Sequence, residues 1–336
     1  MESEVQPVTI PSPFTFPRLL LVIFILLVFS LGFWYFKNKQ AQNIVSGVVS
    51  SPIDILKNSD GVTNVLLLGI GGEGHEGGDL TDSILLASFN LKNNKVFLIP
   101  IPRDVWIVSM KAKINTAYHY GNERRAGGGR DLAKSAVAET LGIPIHYALV
   151  LDFQGFVKAI DAVGGVDVDV QNAFDDYKYP IFGKETAEPE SDRYEHVHFD
   201  MGMAHMDGTT ALKFARSRHS IGDEGTDFSR AARQQKIILA FRDKILSTNT
   251  IFSSDTINKL KDSVSSSIDT DIVGREQASF SKVILSLGSK ENISNIVLTD
   301  YLKNPKNLRN YAGQWVLIPN PTLEELQNYV KTKLAE

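Results

Sequence analysis

Beginning at Thr63 the chain reads TNVLLLGI, an apolar run of strand length, then a glycine-rich loop, GGEGHEGGDLTD, and a second apolar run, SILLASF. The turn NLKNNK leads to a third run, VFLIPI, which ends at Pro102-Arg103-Asp104. These are adjacent hairpin-like strands, not strand–helix–strand units. KINTAYHYGNERRAGGGRD reads as loop with a short helical piece, and Asp131 to Leu141 as a helix stopped at Gly142-Ile143-Pro144. HYALVLDF predicts a strand, GFVKAIDAVGG a short amphipathic helix closed by Gly164 and Gly165, and VDVDV an alternating strand. Residues 172–203 are polar with scattered aromatics and read as a hairpin with an excursion whose length points to function. A helix is expected from about Gly208 into Arg216, and another from its cap, Asp227, to about Leu246, burying Phe228, Ala232, Leu239 and Ile245. Further on, Thr256–Ser266, Glu276–Leu287 and Thr322–Ala335 read as helices, and ISNIVLTDYL and QWVLIPN as strands. Helices and strands interleave without an internal repeat. That order predicts a single α/β domain with a central mixed β-sheet between helical layers.

Ahead of this domain the pattern changes twice. Residues 1–17 are polar and punctuated by proline, and are expected to form a disordered cytoplasmic tail. Leu19 to Phe36 carries no charge, is just long enough to span a bilayer, and ends on Trp34 and Tyr35, residues suited to the interface. It has no polar face, as a core helix would, and WYFKNKQAQN lacks the small-x-small site that ends a signal peptide. The organisation expected is therefore a transmembrane anchor at 18–36, a polar tether at 37–60, the domain at 61–320 and a C-terminal helix at 321–336. Arg18 on one side of the anchor, against Lys37 and Lys39 on the other, leans slightly toward an inside C-terminus. The function argued below requires the opposite orientation.

Composition narrows the chemistry. A net charge of −4 and a pI near 6.0 argue against a nucleic-acid binder, because no sustained basic face runs along the chain. The absence of cysteine excludes disulfides, thiolate metal sites and cysteine nucleophiles.

Two stretches carry candidate chemistry. Gly69-Ile70-Gly71-Gly72-Glu73-Gly74 matches the dinucleotide fingerprint G-x-G-x-x-G, but that motif needs a helix to start within the loop. Here Gly77, Gly78, Asp79 and Asp82 follow, and then another strand. Glu73, Glu76, Asp79 and Asp82 would repel a bare pyrophosphate and suit a divalent cation, which takes oxygen ligands and bridges to phosphates. The second stretch, Lys213 to Lys236, gathers Arg216, Arg218, Arg230 and Arg233 around a Gly/Asp-rich break. Arg230 and Gln234 are four apart and share a helix face, from which Arg233 is displaced. An Arg-x-Arg loop beside a helix opening on arginine is a receptor for phosphate. The competing reading is a solvated basic face paired with Asp223, Glu224 and Asp227. His196-x-His198 is metal-spaced, but on a strand such a pair is more often coincidental. Asp152, Asp161, Gly164 and Gly165 read as structural, whereas Asn115 and Tyr118 are candidates for lining a site.

The runs IPRD, KINTAY, DFQGFVKAIDAVGGVDVDV, MDGTTALKFARSR and DFSRAARQQ, in this order, resemble the LytR-CpsA-Psr family from about Asn64 to Leu246, and more loosely to about Asn320. The resemblance implies a membrane-anchored phosphotransferase on the extracytoplasmic side. It would move a glycopolymer from a polyprenyl-pyrophosphate carrier onto peptidoglycan with Mg²⁺, while a hydrophobic pocket holds the lipid tail. Carried onto this chain, it places the pyrophosphate on Arg103, Arg216, Arg218, Arg230 and Gln234, and the metal on Asp82 within LTDS. Asp227 would cap the helix and hold an arginine. The chain departs from the family pattern at two positions: Gly71 stands where an aspartate is usual, and Leu80 where an arginine is usual. Asp79, Glu73 and His75 are the loop residues available in place of that carboxylate. The general base is open between Asp82 and Asp104. The alternative is a non-catalytic binder of polyprenyl phosphates, a sensor or attenuator of cell-envelope responses.

Overall fold

The computed structural model describes residues 50–336 apart from 76, 185, 218, 221, 226–228, 230–232, 234, 235, 238, 239, 242, 245–266 and 287–292. The expected anchor, the helix at 256–266 and most of the helix at 227–246 lie outside the described residues. Among those described, no helix is long and apolar enough to cross a membrane.

Three strands, β1 (Val62–Ile70), β2 (Thr81–Asn90) and β3 (Lys95–Pro100), pair antiparallel in sequence order, as the hairpin-like pattern predicts. β6 (Tyr147–Asp152) lies parallel to β1, β11 (Ile268–Thr270) pairs antiparallel with β6, and β12 (Ile293–Asn295) lies parallel to β3. The result is a six-stranded mixed sheet in the order β11-β6-β1-β2-β3-β12.

Its faces are sorted by the two-residue period of a strand. Val65, Leu67, Leu85, Ala87 and Leu98 point into one buried cluster, and Leu66, Leu68, Ile84, Leu86 and Ile99 into another. Both faces are covered, which is why β1 and β2 are apolar at consecutive positions rather than alternately.

On the first face lie α4 (Phe153–Ala162), α5 (Gly208–Arg216) and α6 (Arg275–Ser286). Two small sheets accompany them: β7 (Val166–Val170) with β10 (Gly202–Met206), and β8 (Phe174–Pro180) with β9 (Tyr194–Phe199). On the second face lie α2 (Ala117–Arg124), α3 (Gly128–Leu141) and α7 (Leu323–Ala335), whose Leu326 and Val330 are fully buried. A short helix, α1 (Pro52–Ile55), precedes β1.

Turn chemistry closes these helices where the sequence says it should. Gly142 ends α3 in the left-handed conformation with φ +68°. Asp152 caps α4 by accepting from the Gly155 N–H at 2.6 Å, and Asp161 accepts from the Gly208 N–H at 2.7 Å where α5 starts. These aspartates are structural, as expected. The two late strand expectations shrink to short pieces. ISNIVLTDYL yields β12 followed by a 3₁₀ turn at Thr299–Tyr301. QWVLIPN keeps only β14 (Ile318–Pro319), paired with β13 (Leu302–Lys303), and one bridge from Leu317 to Val105. β12 is the edge strand of the main sheet, with one neighbour, and β13 and β14 form a two-stranded sheet of their own.

Candidate phosphate site at one end of the sheet

β1 ends at Ile70 with a register shift against β2, and the glycine loop fills the gap. The loop is a tight return: the Gly72 N–H donates to Gly78 O at 2.7 Å, and a Cβ on Gly78 would sit 2.0 Å from Gly72 O. At Gly72, φ is +87° and a Cβ would lie 2.9 Å from the Asp152 Cβ. The glycines are thus required by the turn. No helix starts in the loop, so the dinucleotide reading fails.

The loop delivers Asp79, and the start of β2 delivers Asp82, to the end of the sheet where β3 leads into Arg103. Arg103 Nη1 donates to Asp82 Oδ1 at 2.5 Å, and Arg103 Nε stands 3.7 Å from Asp104 Oδ2. Asp104 Oδ1 accepts from Lys113 Nζ at 2.7 Å. Strands β4 (Trp106–Ile107) and β5 (Ala112–Lys113) form the hairpin that carries Lys113. The backbone locks this turn, because the Asn115 N–H donates to Arg103 O at 3.2 Å and Thr81 Oγ1 to Asn115 O at 3.1 Å. Asn115 is nearly buried, and its Oδ1 has no hydrogen-bond partner among the described residues. Tyr118 points elsewhere: its hydroxyl donates to Asp269 at 3.0 Å, and burial pushes its pKa up to about 12.

His119 is a residue that sequence reasoning passed over. Its Nδ1 lies 2.7 Å from Asp79 Oδ2, and that hydrogen bond raises the imidazole's pKa. The pair is 40 residues apart in sequence, so no local pattern signals it.

On the other side of the glycine loop, His75 packs edge-on to Phe153 and Phe182, with ring centroids 5.5 and 4.2 Å apart. The Arg216 guanidinium lies over the same Phe153 ring at 4.3 Å and over Tyr179 at 5.7 Å, with Nη1 at 3.5 Å from the Tyr179 hydroxyl. No described carboxylate pairs with Arg216. A guanidinium held on an aromatic shelf keeps its N–H fork available for an anion. Burial raises the Tyr179 pKa, so the hydroxyl stays neutral beside it. His75 also accounts for one departure from the family pattern: a Cβ on Gly71 would lie 3.0 Å from the His75 Cβ, and so the imidazole occupies the space beside that position.

Arg233 has a different task. It is 3% exposed. Its Nε donates to Phe214 O at 3.0 Å, Nη2 to Ser217 O, and Nη1 to Glu224 O at 2.8 Å and Glu224 Oε2 at 2.6 Å. The guanidinium stacks on Phe174 at 4.5 Å. It therefore closes the C-terminal end of α5, whose last carbonyls have no intrahelical donor. Asp176, fully buried on β8, holds the next residues: its Oδ1 accepts from the Lys178 N–H at 2.9 Å and its Oδ2 from the His219 N–H at 3.2 Å. Arg216 and the backbone flanking residue 218 are thus fixed from two directions. Arg218, Arg230, Gln234 and Asp227 lie outside the described residues.

His196 and His198 both reach Asp175 Oδ1, at 2.7 and 2.8 Å, on the exposed β8–β9 hairpin. Among the described residues no group of three or more histidines and carboxylates is placed to hold a metal ion. Asp82 is half exposed and spends one oxygen on Arg103, while Asp79 spends one on His119. Each carboxylate keeps its other oxygen, and a cation that takes one or two carboxylates and completes its shell with substrate phosphates and water needs no all-protein cage.

The protein is thus an α/β domain in which an arginine–aspartate pair and an aromatic-shelved arginine flank one glycine loop. The chain is a member of the LytR_cpsA_psr family, whose profile matches residues 34–332. It is 30% identical over 234 residues to the polyisoprenyl-teichoic acid–peptidoglycan teichoic acid transferase TagV of Bacillus subtilis (strain 168), covering 68% of this chain and 54% of that one. It is 34% identical over 197 residues to the transferase of the TagU name from Bacillus cereus, covering 57% and 54%. The chain therefore spans about half the length of these two relatives. The crystal structure of B. subtilis TagV superposes with a TM-score of 0.54 at 26% identity, covering 83% of this chain and 99% of that one.

Proposed function

We propose that this chain is a membrane-anchored phosphotransferase that moves a glycopolymer, of the teichoic-acid kind named for its relatives, from a polyprenyl-pyrophosphate carrier onto peptidoglycan. The observation that carries the reading is Arg216, seated on Phe153 and Tyr179 without a described carboxylate partner, across the glycine loop from Arg103 and Asp82. Phosphoryl transfer from a pyrophosphate needs charge neutralisation and alignment more than a covalent nucleophile. In the proposed reaction an acceptor hydroxyl forms a bond to the phosphorus next to the glycan. The P–O bond to the bridging oxygen breaks, and polyprenyl phosphate leaves with the electron pair. Arg216 and Arg103 bind the pyrophosphate oxygens, joined by Arg218, Arg230 and Gln234.

The hydroxyl proton passes to Asp82 or Asp104, each of which already meets Arg103 and the second also Lys113. Asp82 and Asp79 would hold Mg²⁺, which supplies Lewis-acid stabilisation of charge on the phosphates. Residues 18–36 would cross the bilayer once and leave the domain on the extracytoplasmic side, where the acceptor is.

The test is transfer from a lipid-pyrophosphate oligosaccharide to peptidoglycan by the full chain in detergent micelles, with and without Mg²⁺. Arg216→Ala and Arg230→Ala should each abolish transfer while the fold survives, and unchanged transfer by both overturns the reading. A second reading, a non-catalytic sensor of polyprenyl phosphates, draws on the imidazole packed beside Gly71 in place of a carboxylate. Tight lipid-pyrophosphate binding with no Mg²⁺-dependent turnover would establish it instead.

A further inference from the structure

The segment between β13 and β14 closes on itself and docks beside the Arg103 turn. Its base is the Leu302–Lys303 pairing with Ile318–Pro319, and Asn304 Nδ2 donates across it to Val316 O at 2.8 Å. The Leu317 N–H donates to Asp104 O at 2.9 Å, the Trp106 N–H to Leu317 O at 2.8 Å, and Tyr311 packs edge-on to Trp106 with centroids 5.3 Å apart. This compact loop is thus fixed to the residue that follows Arg103. From Lys303 to Leu317 it contains Lys303, Lys306 and Arg309 and no aspartate or glutamate, in a chain of net charge −4. All three basic residues are exposed, and none forms an ion pair among the described residues; Asp104, against which the loop docks, is held by Lys113, and Asp300 lies exposed just outside the loop. Trp315, on the same loop, is 53% exposed.

From this we infer that the loop is a binding surface for an anionic glycan chain, receiving the polymer as it extends away from the Arg103 end of the site. The inference rests on the proposed pyrophosphate site and deepens it. Three unpaired cations offer a long-range field to a phosphodiester chain, and an exposed indole offers a flat apolar face to its sugar or polyol units. The position favours a polymer over a bilayer. The chain enters the domain at Ser50–Ile55, next to the start of β1, and β1 runs nine residues toward the loop end. That places the basic loop ~30 Å along the strand direction from the side where the preceding chain attaches.

The experiment uses the full chain in detergent micelles with poly(glycerol phosphate) as the probe, and transfer of a short lipid-pyrophosphate disaccharide beside it. The pair Lys306→Glu and Arg309→Glu should weaken polymer binding by about tenfold or more, with a shallower salt dependence, and Trp315→Ala by several-fold, while short-donor transfer stays within about twofold. Wild-type polymer binding by these variants overturns the inference. So does retained polymer binding with lost binding to phosphatidylglycerol vesicles, which would make the loop a membrane surface. Loop-dependent polymer binding in a protein that does not transfer the lipid-pyrophosphate disaccharide leaves the surface standing and removes the transferase reading.

Discussion

Arg233 Nε donates to the carbonyl of Phe214 at 3.0 Å, two residues before Arg216, so a buried arginine sets the position of one proposed to bind substrate. The sequence displays both as members of one basic cluster. Of the two, Arg233 is committed to Glu224 and the backbone, whereas Arg216 has no carboxylate partner among the described residues.

Replacing Arg233 should therefore act on stability first. Arg233→Ala removes the donor to Glu224 Oε2 and to three carbonyls, and breaking such a buried pair costs roughly 3–5 kcal/mol. Arg233→Lys should recover only part of this, because one ammonium cannot reproduce the planar fork. Urea unfolding of both variants checks the order. Wild-type stability in Arg233→Ala would show that the interaction contributes little.

Arg103 predicts the opposite pattern. Its pair with Asp82 is about half exposed on both sides, and exposed pairs contribute roughly 0–1 kcal/mol. Arg103→Ala should melt close to wild type yet lose about 10²-fold or more in transfer rate, the scale for removing one donor to a developing charge. Calorimetry and the transfer assay on one preparation separate the two effects, and a large stability loss would mark the arginine as structural.

The glycine loop allows a double-mutant test. Gly71→Asp places a Cβ 3.0 Å from the His75 Cβ and should displace the imidazole from Phe153 and Phe182, lowering stability. His75→Ala in the same chain should relieve most of that loss. Strict additivity of the two changes would show that the side chains do not compete for the same space.

Two histidines give opposite pH dependences. His146 Nδ1 accepts the Asn64 N–H at 2.9 Å, and burial, followed by the Lys57 cation, lowers its pKa. The unfolded chain then binds the proton more readily, so this contribution is fully present above about pH 6.5 and declines as pH falls through the folded pKa. His119 is raised by Asp79, so its contribution is present below about pH 6.5 and is lost as pH rises through its folded pKa. Melting temperatures across pH 5–8 should show His146→Gln flattening the acid side and Asp79→Asn the neutral side. Identical profiles in all three proteins would refute the assignments.

Much of the framework follows from local rules that act along the chain. Continuous apolar runs specify β1, β2 and β3, Asp152 caps α4, and Gly142 stops α3, because propensity, capping and φ preferences depend on near neighbours. The order of family motifs identifies the family and nominates Arg103, Arg216 and Asp82. What the tertiary structure decided involves partners distant in sequence. It separated buried Arg233 from Arg216, joined Asp79 to His119, seated Arg216 on Phe153 and Tyr179, packed His75 on Phe153 and Phe182, and reduced QWVLIPN to a short pairing that docks a basic loop by Asp104. Burial and pairing of charges are set by which surfaces the sheet brings together, and the spacing of residues along the chain does not contain that information.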